Sequence, residues 1–183
     1  ADVCYFTGAS MPTLRAMERS GLLTLTAEEE LRVPTQTAPP EPPAVLTAEQ
    51  TAAFEAIRVL TETGRPEAAL LQGVTGSGKT QVYLALVADA LDRGRTALVL
   101  VPEIVLTPQM MRRFAGQFGA AVAMLHSGLR VTERYDQWKR IRRGEVRVVL
   151  GTRSAVFAPL KNLGIIILDE EQESGYQSEN APR

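Results

Sequence analysis

The sequence is poor in the side chains that most often bind metals or form cross-links. Cysteine occurs once, as Cys4, and histidine once, as His126. A single cysteine excludes an internal disulfide and a zinc site built from several cysteines of this chain. A metal site here must therefore use carboxylate and hydroxyl oxygens, together with the phosphates of a bound ligand.

Net charge and long apolar runs are also scarce. The net charge of the 183 residues is −1, so an anionic partner would have to be recognised by local charge. The apolar run from Leu163 to Leu168 contains Gly164 and is far too short to span a bilayer. The first residues do not resemble a secretory leader. These features predict a soluble protein of a reducing, cytosolic compartment.

Features at both ends of the sequence favour the interpretation that this chain is a piece of a longer protein. It begins with Ala1 rather than methionine, and it stops at NAPR, residues 180–183, outside any recognisable helix or strand. Its content of hydrophobic residues, 45%, is enough for a core.

Composition divides the chain into three segments. In residues 1–33, Leu14 and Met17 predict a helix that Gly21 ends, and LLTL (22–25) and ELRV (30–33) resemble two short strands. A helix followed by a small hairpin is typical of the end of a winged-helix module, although other small α+β arrangements give the same pattern. Residues 34–45, which include PTQTAPPEPP, predict a stiff proline-rich linker.

Residues 46–183 alternate between helical and strand-like segments. The strand-like segments are continuous apolar runs, which is typical of strands buried on both faces. Such alternation predicts an α/β fold, with a parallel sheet and helices on both of its faces. The predicted helices span 48–61, 79–93, 107–118 and 131–143, and the predicted strands span 68–72, 96–102, 121–127, 146–152 and 164–170.

A glycine-rich loop lies between the first predicted strand and the second helix. Gly73, Gly78, Lys79 and Thr80 match the phosphate-loop pattern G-x-x-x-x-G-K-[ST]. Glycines let backbone N–H groups turn inward, and the positive end of the next helix points at the same place. Lys79 is expected to reach the β- and γ-phosphates, and the Thr80 hydroxyl to bind Mg²⁺. The predicted nucleotide-binding residues are Gly73, Thr75, Gly76, Ser77, Gly78, Lys79 and Thr80.

A second signature ends the last predicted strand. In LGIIILDEE, residues 163–171, Asp169 and Glu170 follow the apolar run directly. A carboxylate at the tip of a buried strand is the second Mg²⁺ anchor of phosphate-loop enzymes, so Asp169 is predicted to hold the metal. Glu170 is predicted to deprotonate the attacking water. The same residues also suit an acidic helix N-terminus. Two adjacent carboxylates favour an ATPase over a kinase.

Three further loops are expected at the carboxyl ends of strands, where α/β sheets bind ligands. They contain hydroxyl and guanidinium groups suited to a phosphate backbone, namely Thr107, Ser127, Thr152, Arg153 and Ser154. Thr107 and Ser127 are equally suited to be ordinary helix caps. The basic stretch from Arg130 to Arg147 contains Tyr135 and Trp138, and it suits either nucleic acid or a solvated helix face that an aromatic residue anchors to the sheet.

Gln50 has two interpretations. Thr47 and Gln50 have the spacing of a capping box at the start of a helix, which spacing alone favours. The same glutamine is also placed to read the edge of an adenine base.

The motifs GVTGSGKT, VPEIVLTPQ, LHSGL, GTRSAVFAPLKNLG and IIILDEE occur in this order. Over residues 46–183 the chain therefore resembles the PriA (primosomal protein N′) family of replication-restart helicases, in superfamily 2. The resemblance implies a RecA-like ATPase domain after a winged-helix remnant, with Gln50 contacting adenine. It also implies that Thr107, His126, Ser127 and residues 151–155 lie along single-stranded DNA or couple it to ATP.

The family's activity supplies the remaining expectations. It is a DNA-dependent ATPase that moves 3′ to 5′ on forked DNA and reloads the replicative helicase, using ATP and Mg²⁺. Expected partners are single-stranded and forked DNA, restart proteins and single-strand binding protein, in the bacterial cytoplasm and nucleoid. The family's zinc module, its second RecA-like domain and its arginine finger would lie beyond Arg183. We therefore expect this chain alone to bind nucleotide weakly and to hydrolyse it slowly or not at all.

One residue departs from the family pattern. The family's acidic motif ends in D-E-E-H, whereas this chain has Gln172 at the histidine position. The histidine is thought to couple ATP turnover to DNA, and glutamine cannot carry its charge. The alternative function is therefore a scaffold that binds forked DNA and unwinds it weakly or not at all.

Overall fold

A computed structural model describes residues 8–26, 39, 42, 45–74 and 76–176. The chain divides into two compact units, Ala1–Leu31 and Arg32–Arg183. Most of the predicted linker lies outside the described residues, as do ELRV and Thr75 of the glycine-rich loop.

The first unit contains the predicted helix, α1, which spans Met11–Arg19. The Ser10 hydroxyl caps it by accepting a hydrogen bond from the backbone N–H of Thr13. Gly21 follows with φ +74°, a conformation that favours glycine, and its N–H donates to the carbonyl of Glu18. The interpretation of Gly21 as the helix stop is confirmed.

The strand predicted at residues 22–25 is wrong. This segment has no regular structure, and the backbone N–H of Leu25 donates to the Glu18 carboxylate at 2.9 Å. The Glu18 side chain thus binds a backbone N–H group that, in a strand, would be hydrogen-bonded to a neighbouring strand. The winged-helix assignment stays a prediction.

The second unit contains the predicted alternation of helices and strands. Its helices are α2 (Ala48–Thr61), α3 (Lys79–Asp92), α4 (Pro108–Phe118) and α5 (Val131–Arg143). Its strands are β1 (Thr96–Leu100), β2 (Val122–Leu125), β3 (Val148–Gly151) and β4 (Leu163–Leu168). Short 3-10 helices span Gly119–Ala121, Arg153–Phe157 and Ser174–Tyr176. Within the described ranges, no helix is long and apolar enough to cross a membrane.

The four strands form one parallel sheet in the order β2-β3-β1-β4. Alternate residues of β1 enter two separate cores. Val99 packs with α3 and α4, including Phe114, whereas Leu98 packs with Ile141 of α5. The prediction of an α/β fold with helices on both faces of a parallel sheet is confirmed.

The strand predicted at residues 68–72 is wrong in the structure. These residues are irregular, and β4 is an edge strand among the described residues. Ile167 of β4 is buried, but Ile166 and Leu168 are 56% and 42% exposed. The expectation that every strand is buried on both faces therefore holds for β1, β2 and β3 and fails for β4, which lies at the opposite end of the sheet from β2, where α5 packs.

Phe114 should dominate the core beneath α4. Its side chain is fully buried, so Phe114→Ala should lower the free energy of unfolding by about 3–5 kcal/mol through lost burial and a residual cavity. Urea denaturation measures this loss. The matched control is Phe157→Ala, because Phe157 is 83% exposed and should change stability by roughly 0.5 kcal/mol or less. Equal losses in the two variants would contradict the assigned core.

Candidate nucleotide and nucleic-acid site

The segments that follow the strands meet at one edge of the sheet. Backbone hydrogen bonds continue beyond the strand ends, from Thr152 N–H to Leu125, from Val101 N–H to Gly151, and from Asp169 N–H to Leu100. Parallel pairing brings all four carboxyl ends to this edge. Three predicted DNA loops and the acidic motif are thus brought together from distant parts of the sequence.

The glycine-rich loop turns directly into α3. Gly76 and Gly78 have φ of +84° and +82°, where residues with a Cβ are strained. Gly78 is the residue before the helix, and the N–H of Ser77 donates to the carbonyl of Val74 at 3.1 Å. The loop therefore delivers Lys79 and Thr80 to the first turn of a helix, whose N-terminus is an anion site.

The Lys79 ammonium folds back across the loop. Its Nζ donates to the carbonyl of Gly73 at 2.7 Å and lies 3.4 Å from that of Val74. These contacts place the positive charge inside the loop, where the lysine of a phosphate loop meets the β- and γ-phosphates.

Gln50 serves α2 and the glycine-rich loop together. Its Oε1 accepts from the N–H of Thr47 at 2.9 Å, and the Thr47 hydroxyl accepts from the N–H of Gln50, so the predicted capping box is confirmed. The Gln50 Nε2 also donates to the carbonyl of Ser77 at 3.1 Å. A Cβ at Gly78 would overlap this amide. The role in reading adenine stays a prediction, but the side chain lies against the loop.

Asp169 is buried and is held by two tyrosines. The Tyr83 hydroxyl, from α3, donates to Asp169 Oδ1 at 3.1 Å, and the Tyr176 hydroxyl donates to the Asp169 backbone carbonyl at 2.9 Å. Burial and the nearby Asp169 charge raise the pKa of Tyr83 well above its usual range, and the same causes raise the pKa of Tyr176 to about 12. Both hydroxyls therefore remain donors near neutral pH.

Glu170 adopts a backbone conformation that is unusual for its residue type. Its φ is +48°, which costs an L-residue roughly 1–2 kcal/mol. The Gln172 amide Nε2 donates to Glu170 Oε2 at 2.5 Å, and the N–H of Glu173 donates to the Glu170 carbonyl. Strain of this kind clusters at functional sites. Gln172, the departure from the family pattern, orients the predicted catalytic carboxylate.

Among the predicted DNA-contacting residues, Thr107 caps a helix, whereas Ser127 and His126 do not. The Thr107 hydroxyl accepts from the N–H of Met110 and caps α4, which confirms the cap interpretation. Ser127 is no cap, since α5 begins at Val131, and it lies exposed in the turn between His126 and Leu129. His126 is partly buried, and its carbonyl lies 3.5 Å from the Arg134 guanidinium.

The loop after β3 separates buried from exposed residues. Thr152 is buried, and its carbonyl accepts from the N–H of Ala155 to begin a 3-10 helix. Arg153, Ser154 and Phe157 are exposed on that helix. Thr152 thus supports the loop from within, while its neighbours face outward.

The basic stretch around α5 does not form one continuous basic face. Arg140 is buried and donates to the Ala120 carbonyl, and Arg147 donates to the Leu91 carbonyl. The alternative interpretation, in which an aromatic residue anchors α5 to the sheet, is not supported: Tyr135 is exposed, and Trp138 lies at the surface beneath the Arg142 guanidinium. Ile141, which is fully buried, is the anchor instead.

Sequence reasoning did not identify Tyr83 and Tyr176 as site residues. Tyr83 lies one helical turn after Lys79, but its position in an apolar helix predicts only a core residue. Tyr176 lies shortly after the acidic motif, and no known motif spacing identifies it as a functional residue. In the described part of the chain, no group of three His, Cys, Asp or Glu residues could hold a metal ion, so a Mg²⁺ here depends on hydroxyl and ligand oxygens as well.

Gly78 should be less tolerant of substitution than Gly76. Both have nearly the same positive φ, so an alanine at either position costs roughly 1–2 kcal/mol in backbone strain. Only at Gly78 would the new Cβ also displace the Gln50 amide, whereas nothing lies within 4 Å at Gly76. We expect Gly78→Ala to lose about 1 kcal/mol more than Gly76→Ala in urea denaturation. Equal losses would mean that the Gln50 contact does not stabilise the loop.

Comparison with known proteins places these features in a family context. The family model for the DEAD/DEAH box helicase matches residues 47–181. Replication restart protein PriA of Bacillus subtilis is 50% identical, over 100% of this chain and 23% of that protein. PriA of Synechocystis is 44% identical, over 97% of this chain and 21% of that protein. The chain thus spans less than a quarter of the length of these relatives.

A solved structure shows the same architecture. The structure of RecG bound to a three-way DNA junction matches with a TM-score of 0.61 and 32% identity, over 68% of this chain and 18% of that chain. The predicted resemblance to PriA and the predicted helicase fold are both supported by these matches. Since the family model covers most of the chain, including the glycine-rich loop and the acidic motif, the chain belongs to the DEAD/DEAH box helicase family.

Proposed function

We propose that this chain is the ATP-binding half of a DNA-dependent ATPase and 3′-to-5′ DNA helicase that restarts stalled replication forks. The observation that carries the proposal is the hydrogen bond between Tyr83 and Asp169. It holds the acidic motif against the helix that begins with Lys79 and Thr80. A phosphate loop and a buried carboxylate are thereby joined in one site, as nucleotide hydrolysis requires.

In the proposed reaction, the chain binds the triphosphate and activates water. Backbone N–H groups of the loop and the Lys79 ammonium hold the β- and γ-phosphates. Glu170 accepts a proton from water as the water oxygen bonds to the γ-phosphorus. The bond from that phosphorus to the β–γ bridging oxygen breaks, which leaves ADP and phosphate. Gln172 keeps the Glu170 carboxylate oriented for this role.

The donors present suit Mg²⁺, which prefers oxygen ligands. Thr80 lies in the first turn of α3, and Oδ1 of Asp169 accepts the hydrogen bond of Tyr83, so Oδ2 is the carboxylate oxygen that we assign to the metal. Mg²⁺ would supply charge neutralisation on the phosphates when it is bound. Thr80 and Asp169 are the proposed metal residues.

For DNA, we propose the loops at the same edge of the sheet. Thr107, Ser127, Arg153 and Ser154 are exposed there and suit a phosphate backbone. Ile104 and Phe157 expose 78% and 83% of their surfaces in these loops, which suits contact with unpaired bases. His126 and Thr152 are assigned to supporting the loops. Single-stranded and forked DNA are the proposed substrates, by analogy with the PriA relatives.

The finer assignments rest on the PriA resemblance. Proposed protein partners are restart proteins and single-strand binding protein, in a bacterial cytoplasm and in association with the nucleoid. We propose that the zinc site expected from this resemblance is built from residues outside this chain. A fork-binding scaffold without a motor is not favoured, since Lys79, Thr80, Asp169 and Glu170 are all present and Gln172 contacts Glu170.

The two roles of Gln50 can be separated by one substitution. Gln50→Glu keeps a side-chain oxygen for the Thr47 N–H but removes the amide donor to Ser77 and to adenine. We expect the α2 cap to persist, the free energy of unfolding to fall by about 1 kcal/mol through the lost bond to Ser77, and the ATP affinity to fall about tenfold, the effect of losing roughly 1.4 kcal/mol. Urea denaturation and fluorescence titration measure the two quantities. Unaltered ATP affinity would leave Gln50 as a cap and a loop contact without a role in adenine binding.

The proposed function is tested by ATP turnover of the complete polypeptide that carries these residues. Turnover should rise strongly with forked DNA, and Lys79→Ala should abolish it because the β- and γ-phosphates lose their counter-charge. Ser10→Ala, which alters only the α1 cap, is the matched control and should keep the DNA response. DNA binding without turnover in the unaltered protein would reject the motor.

A further inference from the structure

The Tyr83 hydroxyl lies where a core side chain would ordinarily carry no polar group. Tyr83 is 6% exposed on α3, one turn after Lys79, and it packs within the same core as Val99 and Ile167. A buried hydroxyl costs free energy unless it is hydrogen-bonded. Its partner is a carboxylate 86 positions away in sequence. Phenylalanine would fill the same space, so the hydroxyl serves the contact with Asp169.

Asp169 needs this support because its other described contacts hold its backbone rather than its carboxylate. It follows β4, whose Ile166 and Leu168 are exposed at the sheet edge, and it precedes Glu170 with its positive φ. Tyr176 holds the Asp169 carbonyl, and the N–H of Asp169 bonds to Leu100. These contacts position the backbone, and only Tyr83 among the described contacts orients the carboxylate itself.

We infer that Tyr83 is a positioning residue that sets the Asp169 carboxylate relative to the first turn of α3 and so tunes Mg²⁺-dependent nucleotide binding. With Oδ1 held by the phenol, Oδ2 would be the oxygen that binds Mg²⁺ beside the phosphate loop. Mg²⁺ demands near-ideal octahedral geometry, so a small rotation of the carboxylate weakens the metal-dependent part of binding. The metal-independent part, which Lys79 and the loop supply, does not depend on Tyr83.

The inference rests on the proposed function, and one titration tests both. The affinity of this chain for ATP is measured with excess Mg²⁺ and again with EDTA, in the unaltered chain and in Tyr83→Phe. The affinity ratio is the ATP affinity with Mg²⁺ divided by the ATP affinity with EDTA. We expect this ratio to fall by about tenfold in Tyr83→Phe, which is the effect of losing one hydrogen bond to a charged group, whereas the affinity with EDTA should not change.

Tyr176→Phe is the comparison variant. It also loses a phenolic hydroxyl that contacts Asp169, but that hydroxyl bonds the backbone carbonyl rather than the carboxylate. Its affinity ratio should fall by roughly twofold, clearly less than in Tyr83→Phe, because Tyr83 still orients the carboxylate and the N–H of Asp169 still bonds to Leu100. Circular dichroism and the EDTA affinity show that each variant is folded.

The outcomes separate the two ideas. If the unaltered chain binds ATP without dependence on Mg²⁺ or on Lys79, the proposed function fails and the inference falls with it. If the unaltered chain shows Mg²⁺-dependent binding and Tyr83→Phe keeps the full ratio, the inference alone is overturned. An equal fall of the ratio in Tyr176→Phe would also overturn it, because the effect would then come from general loosening of the segment.

Discussion

Everything at the candidate site depends on the parallel pairing of β1 with β3 and β4. Parallel strands end at the same edge, so residues that are far apart in sequence arrive side by side. The pairing extends past the strands, where the N–H of Asp169 bonds to Leu100 and the N–H of Val101 bonds to Gly151. Because β1 is buried along its whole length, the burial of its apolar side chains holds this edge together.

The glycine-rich loop is joined to this edge through side chains rather than through the sheet. Residues 68–72 form no strand. The loop is held instead by two side-chain hydrogen bonds, from the Gln50 amide to the Ser77 carbonyl and from the Lys79 ammonium to the Gly73 carbonyl. Tyr83 then links α3 to Asp169. Three side-chain hydrogen bonds thus connect α2, the loop, α3 and β4. Side-chain contacts of this kind allow small adjustments that a rigid backbone ladder would resist.

The acidic segment combines strain with dense hydrogen bonding. Glu170 has a positive φ, and its carboxylate is held by Gln172 two residues later. A glutamine amide donates such a bond at any physiological pH, whereas a histidine donates according to its tautomer and charge. Glutamine at this position therefore keeps a hydrogen-bond donor beside Glu170 without adding a titratable group.

Residue type and spacing alone determined the α/β class, the bounds of α2 to α5 within a residue or two, and the positions of the glycine-rich loop and the acidic motif. These features are local, since apolar periodicity, capping residues and glycine positions act over a few residues. The capping box at Gln50 belongs to the same class. The tertiary structure alone decided which strand lies at the edge, why Ile166 is exposed, and that Arg140 is buried against Ala120. It also decided that Tyr83 meets Asp169, because a contact between residues 86 positions apart depends on how the sheet and α3 pack, and no local pattern encodes that packing.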